Sequence, residues 1–265
     1  MKKISALFIT VLMVHVLQAQ EATLSLQQAE TRMIEYPVLF QQQSAEYRAL
    51  CYQAYNIATL RLNEIPKKQF KKQQLAIITD LDETILDNSY QEAQLIKEGK
   101  GFSSQAWKNW TNKSAATAVP GAVAFLQAAS KKGVHIFYIS NRDSSEIQTT
   151  LLNLQKLQLP DADTSHMLFL TNTSSKEARR QIVMKHYNVI MLLGDNLNDF
   201  TQAFEKKSSP DRKTETDKVM NDWGKKFIVL PNATYGEWEN AIYDYKRNLT
   251  PEEREDMRKK TLIGY

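Results

Sequence analysis

The apolar run Leu75-Ala76-Ile77-Ile78-Thr79 passes without a break into Asp80-Leu81-Asp82-Glu83-Thr84, so a strand ends in two carboxylates one residue apart. Further apolar runs at 134–139, 167–170, 189–193 and 227–230 alternate with stretches of helix formers. This alternation predicts an α/β fold with a parallel central sheet and helices on both faces. Right-handed crossovers would bring the carboxyl ends of the strands to one edge, where open α/β sheets bind ligands. Whatever Asp80 and Asp82 do, they would do it there.

The chemistry suggested by these strand ends is phosphoryl transfer. One carboxylate can attack phosphorus while the other handles a proton. Two ionised carboxylates so close repel each other, which a divalent cation would relieve. An acidic helix cap would also account for Asp and Thr at this place. A second strand, however, ends in Gly194-Asp195-Asn196-Leu197-Asn198-Asp199-Phe200, with Asp195 and Asp199 one helical turn apart. A third ends in Ser140-Asn141-Arg142, offering a hydroxyl and backbone N–H groups to phosphate oxygens, or else simply a turn. Lys176, at the head of a helical stretch over 175–187, could neutralise both phosphate and nucleophile.

In this order the elements resemble the haloacid dehalogenase (HAD) superfamily of phosphohydrolases. The longer strings resemble its class C non-specific acid phosphatases, the branch that includes bacterial lipoprotein 5′-nucleotidases. Beside the strand ends, the resemblance rests on Asp87-Asn88-Ser89, Ala106-Trp107-Lys108-Asn109-Trp110, Val119-Pro120-Gly121-Ala122-Val123 and Leu230-Pro231-Asn232-Ala233-Thr234-Tyr235-Gly236-Glu237-Trp238. It implies a HAD-like Rossmannoid core and an acid phosphatase acting on phosphate monoesters, with nucleoside 5′-monophosphates foremost. By the same resemblance Asp80 would form an aspartyl-phosphate, and Asp82 would protonate the leaving alcohol and then activate water. Asp80, the main-chain carbonyl of Asp82 and Asp195 would hold Mg²⁺, and Asp199 would steady Lys176 or a metal-bound water. Trp107 and Tyr235 would clasp a nucleotide base, leaving packing roles to Trp110, Trp223 and Trp238. The family further implies a homodimer. A phosphotransferase using the same intermediate and a non-catalytic nucleotide-binding surface protein are the alternative readings.

The rest of the chain divides around this core. Residues 1–20, with Lys2 and Lys3, an apolar stretch and Gln18-Ala19-Gln20, read as a signal peptide too short to span a bilayer as a stable helix. The expectation is a periplasmic or secreted enzyme, without the lipid anchor of the lipoprotein branch, since no Cys follows the apolar stretch. Residues 21–70 read as an accessory layer of two helices before Pro66, with Lys67-Lys68-Gln69-Phe70-Lys71-Lys72 as a solvated linker. The core spans 71–239 with a cap-like insertion at 87–119, too long to be a mere connection. The tail, 240–265, reads as helical and packing on the N-terminal helices. Net charge is +4 and falls to +2 without Lys2 and Lys3, no basis for nucleic-acid binding. Cys51 has no partner for an internal disulfide, and the four histidines are scattered, with no metal-binding spacing.

Overall fold

The computed structural model describes residues 33–72 and 74–265, so the expected signal peptide at 1–20 and the start of the 21–70 segment lie outside the described residues. In chain order the strands are β1 (Leu75–Thr79), β2 (Leu86–Asp87), β3 (Thr117–Ala118), β4 (His135–Asp143), β5 (Met167–Leu170), β6 (Asn188–Gly194) and β7 (Phe227–Val229). Five of them form the expected parallel sheet, in the order β5-β4-β1-β6-β7, with β1 at its centre. Successive side chains of a strand point to opposite faces, and the core is sorted accordingly. Leu75, Ile77, Ile136, Tyr138, Met191 and Leu193 join one hydrophobic cluster, whereas Ala76, Ile78, Phe137, Ile139 and Leu192 join the other. Both faces are therefore covered, as parallel sheets require.

The helices are α1 (Glu35–Gln43), α2 (Ala45–Glu64), α3 (Lys67–Lys72), α4 (Ser89–Glu98), α5 (Ser104–Thr111), α6 (Ala122–Lys131), α7 (Ile147–Lys156), α8 (Glu177–Met184), α9 (Ser209–Lys218), α10 (Glu237–Ile242) and α11 (Pro251–Thr261). The two helices expected before Pro66 are α1 and α2, divided at Ser44, whose hydroxyl caps α2 by accepting from the Tyr47 N–H at 3.0 Å. Tyr47, Cys51, Ala54, Tyr55, Ala58 and Leu62 recur at helical spacing and bury one face of α2 in the first cluster. Burial pushes the Cys51 thiol up to about 11, in keeping with a packing role. Gly121 permits the close approach of α2: it adopts a φ of 93°, and a Cβ there would meet the Tyr55 ring at 3.0 Å.

Several boundaries differ from the sequence reading. Lys67–Lys72, expected as linker, forms a short helix. β4 runs on to Asp143 instead of stopping at Ile139, carrying Ser140, Asn141 and Arg142 within the strand. The acidic segment after β6 is not an α-helical turn, because Asn196 caps a 3₁₀ turn at Leu197–Asp199. Among the described residues the tail meets α10 and the residues just after it, where Arg258 donates to the Tyr243 hydroxyl at 2.8 Å and Arg254 lies over its ring. Arg254, Met257 and Arg258 are the half-buried residues of α11's inner side. β2 and β3 pair antiparallel, and α4 and α5 leave and return through this two-stranded neck beside the catalytic loop. Among the described residues no helix is long and apolar enough to cross a membrane.

Candidate active site

Asp80 stands at the carboxyl end of the central strand, its N–H still in the sheet ladder through the Leu193 carbonyl at 3.0 Å. The chain then turns sharply: the N–H groups of Ile85 and Leu86 both donate to the Leu81 carbonyl, and Glu83 takes a left-handed conformation with φ 55°. The turn is braced from outside by the Tyr55 hydroxyl of α2, which donates to the Thr84 carbonyl at 2.6 Å. It is braced from inside by the Thr84 hydroxyl, which donates to Asp195 Oδ1 at 3.2 Å. Asp80 is thereby presented to the site with only 7% of its surface exposed.

Lys176, immediately before α8, extends its ammonium between two carboxylates. It donates to Asp80 and, at 2.7 Å, to Asp199 Oδ1. Burial disfavours the Lys176 charge, but Asp199 and Asp80 outweigh it and hold its pKa above the ordinary value. Asp199 is positioned by its turn: its Oδ2 accepts from the Asn196 N–H at 3.0 Å, closing a capping box. Gly194 makes room for it, since a Cβ on Gly194 would lie 2.4 Å from the Asp199 carboxylate. Asp195 accepts from Asn232 Nδ2 at 2.7 Å as well as from Thr84.

Burial, with the neighbouring carboxylates, pushes Asp80 up to about 7 against the pull of Lys176, and lifts Asp195 well above the usual carboxylate range. Asp80, Asp195 and Asp199 each offer an oxygen within 4.8 Å of the others. An all-carboxylate set of this kind fits a hard divalent cation, and such an ion would relieve the repulsion that raises these groups. Asp199 thus belongs to the candidate metal set as well as to Lys176. The Asp82 side chain lies apart from it.

Asp82 is held by Arg142, whose guanidinium donates to both carboxylate oxygens, through Nη2 at 2.7 Å and Nε at 3.1 Å and 3.2 Å. The same guanidinium is fixed to the Thr150 hydroxyl at 2.9 Å and is almost fully buried. Asn88 adds a donor to Asp82 Oδ1 at 2.8 Å, and the Ser140 hydroxyl approaches Oδ2 at 3.5 Å. Arg142, which the sequence suggested for a turn or a phosphate contact, is therefore a partner of the second carboxylate. Asn141 turns instead to the Ser174 carbonyl and to Arg179, whose guanidinium also holds the Ser140 carbonyl at 2.6 Å.

The two rings expected to clasp a base each reach Asp82 through one intervening residue, Trp107 through Arg142 and Tyr235 through Glu83. Trp107 lies 5.4 Å from the Arg142 guanidinium and also packs near Phe102. The Tyr235 hydroxyl donates to Glu83, a buried acid pushed up to about 8 chiefly by desolvation. Trp110 donates to Asn88 at 2.8 Å and stacks on Tyr90, and Trp223 packs edge-on against Phe200. Trp238, expected to pack, is 43% exposed beside Gly236. Tyr243 and Tyr245 are engaged away from the site, with Arg258 and with the Lys207 carbonyl.

Thr84, Asn232, Asn88, Glu83 and Arg179 complete the site without having been singled out from the sequence. Glu83, Thr84, Asn88 and Asn232 lie inside the family strings, so position alone could have drawn attention to them. Gln41 of α1 gives no signal at all, yet its amide reaches Asp87 at 2.8 Å and Glu83 at 3.4 Å.

The family model described as HAD superfamily, subfamily IIIB (Acid phosphatase) matches residues 4–238. A solved structure of the class C acid phosphatase from Bacillus anthracis is similar with a TM-score of 0.84 and 38% sequence identity, covering 89% of this chain and 98% of that one. The same enzyme with tungstate bound is similar at a TM-score of 0.83 and 37% identity, over the same shares of both chains. A buried aspartate at the end of the central strand, a lysine bound to it and an acidic cluster alongside thus occur in a chain that belongs to the subfamily IIIB acid phosphatases of the HAD superfamily.

Proposed function

We propose that this phosphatase is exported, depends on Mg²⁺, and hydrolyses phosphate monoesters, nucleoside 5′-monophosphates among them, through an aspartyl-phosphate on Asp80. The observation that carries the reading is the separation of two carboxylates of unlike surroundings: Asp80 buried on Lys176, and Asp82 held apart by Arg142 and Asn88. An Asp80 oxygen attacks phosphorus and the ester P–O bond breaks, while protonated Asp82 gives its proton to the departing alcohol oxygen. Asp82, now a carboxylate, takes a proton from water as that water attacks phosphorus and releases Asp80. An acid that must start protonated favours a mildly acidic optimum. Lys176 neutralises charge on Asp80 and on the phosphate, with Asp199 fixing the ammonium. Asp80, Asp195 and the main-chain carbonyl of Asp82 would hold Mg²⁺, which when bound supplies charge neutralisation and orientation of the phosphate. Ser140, with Asn141 held beside it by Arg179 and the Ser174 carbonyl, is the proposed phosphate-facing part of β4, and tungstate, bound by the Bacillus anthracis enzyme, is a tetrahedral oxyanion like phosphate.

Trp107 and Tyr235 are proposed to receive the base from the insertion and from the segment after β7. Their adjacency to Asp82 through Arg142 and Glu83 supports this placement. Export rests on the pattern of residues 1–20. The experiment is phosphate release from AMP by residues 21–265 at about pH 5 to 7, with and without Mg²⁺, beside Asp80→Asn. Turnover that requires both metal and Asp80 is expected. Turnover by Asp80→Asn near the wild-type rate would overturn the nucleophile, and activity indifferent to chelation would overturn the metal dependence.

A further inference from the structure

At the opposite end of the sheet the fold gathers residues that sequence spacing leaves scattered. His135 opens β4, Asp161 lies in the loop after α7, and His166 ends the 3₁₀ turn that leads into β5. One ligand atom from each lies within 4.8 Å of the others. The imidazoles of His135 and His166 stack nearly parallel, with centroids 6.0 Å apart and planes inclined by 7°. Ser140 is five residue steps along β4 from His135, roughly 17 Å on an extended strand, so this cluster is independent of the phosphatase centre.

We propose that His135, Asp161 and His166 form a second metal site, selective for a borderline divalent cation such as Zn²⁺ over Mg²⁺. Two imidazoles and one carboxylate suit Zn²⁺, Cu²⁺ or Ni²⁺, whereas Mg²⁺ prefers oxygen donors alone. The supporting bonds already orient the ligands. His166 Nδ1 lies 3.0 Å from both oxygens of Asp163, which fixes the tautomer that leaves Nε2 free, the carboxylate–histidine pairing of many metal centres. Asp163 is itself anchored, accepting from the Ser165 N–H at 2.9 Å. Asp161 Oδ2 accepts from the Ile136 N–H at 2.7 Å, leaving its other oxygen for the cation. The Tyr138 hydroxyl donates to the Pro160 carbonyl and ties the Asp161 loop to β4.

Metal bonds of about 2.0–2.2 Å place tetrahedral ligand atoms roughly 3.3–3.6 Å apart, so a shift of about 1 Å closes the set. His135 is half-buried at the first position of its strand, with its ring edge-on to Tyr187. The three residues span β4, the entry to β5 and the loop between them, so the bound ion acts as a clip at the sheet edge.

The test is titration of the protein with Co²⁺ in excess Mg²⁺, following the visible absorption that imidazole-ligated Co²⁺ of low coordination number gives. Absorption is expected, displaced by Zn²⁺, lost in His135→Gln and His166→Gln, and retained in Asp195→Asn. Asp163→Asn, a change at a half-exposed carboxylate that leaves the packing alone, is expected to weaken Co²⁺ by roughly 10- to 100-fold. Absorption that is absent from the wild type, survives both histidine changes, or disappears with Asp195→Asn overturns the site. Unchanged affinity in Asp163→Asn overturns the orienting role even if a histidine variant fails to fold.

Discussion

Replacing Gly194 by alanine isolates one contact on which the acidic cluster depends. Gly194 closes β6 without a left-handed φ, so an alanine backbone fits and only the added methyl matters. That methyl would lie 2.4 Å from Cβ and Oδ2 of Asp199 and 2.8 Å from its Cγ. Carbon contacts are comfortable at about 3.5–4.0 Å, so Asp199 or the strand end must retreat by about 1 Å. Either movement loosens the 2.7 Å bond to Lys176 and the 3.0 Å bond from Asn196. Overpacking of this kind costs about 1–3 kcal/mol, which at about 2–4 °C per kcal/mol is a fall in Tm of about 2–12 °C. A displacement of about 1 Å in a reacting constellation costs on the order of 100-fold in kcat. Thermal unfolding and initial rates with an aryl phosphate measure the two effects. The clash also predicts a coupling: Asp199→Gly should cost about 1 kcal/mol or more less stability on top of Gly194→Ala than in the wild type. A Gly194→Ala protein with unchanged Tm and kcat, or strict additivity in the double variant, would refute the reasoning.

Two further outcomes follow from other parts of the site and its surroundings. Glu92 of α4 is buried with desolvation as the cause that pushes it from 4.5 up to about 7. The folded state therefore holds its proton more tightly than the unfolded state, and stability is lost as pH rises from about 4.5 through about 7. At about 1.4 kcal/mol per pH unit the penalty well above pH 7 approaches about 3.5 kcal/mol, so the stability of Glu92→Gln relative to wild type should rise by about 3 kcal/mol between pH 4.5 and 8. Denaturant unfolding at the two pH values checks it, and a constant difference would remove the explanation. Trp107→Ala should raise KM for AMP about 5- to 150-fold, the equivalent of about 1–3 kcal/mol of base stacking, while changing KM for an aryl phosphate far less. Equal losses on both substrates would make the ring a support for Arg142 and not a base platform.

The strands were legible because a parallel sheet needs continuous apolar runs, and the runs of β1, β5 and β6 are bounded by residues that cannot continue them. The strand-end acids were legible for the same reason: Asp80 and Asp195 interrupt runs that the core would otherwise favour. Less local features escaped. Ser140 to Arg142 read as lying beyond the strand, for phosphate contact or a turn, because polar residues follow Ile139, yet pairing with β5 carries the strand to Asp143 across a register shift. The 3₁₀ turn after Gly194 depends on the Asn196 cap, which competes with the α-helical spacing of Asp195 and Asp199. The partnership of Arg142 with Asp82 links residues 60 positions apart and has no signature in either neighbourhood. His135, Asp161 and His166 meet only because β4 and β5 are adjacent, which no spacing within the chain announces. Trp238 shows the converse, since an aromatic residue in a family string need not be in the core.

The helices α1 and α2 look like an appendage when the chain is read from left to right, and the loop they brace changes that view. Tyr55 holds the carbonyl of Thr84, Gln41 reaches Glu83 and Asp87, and Gly121 is spared a side chain so that the Tyr55 ring can sit there. Cutting the gene before β1 would thus remove one wall of the mould in which the catalytic turn is cast. A minimal enzyme begins upstream of Gln41, and a label or partner domain is better joined beyond α11, after the last residues that hold Tyr243.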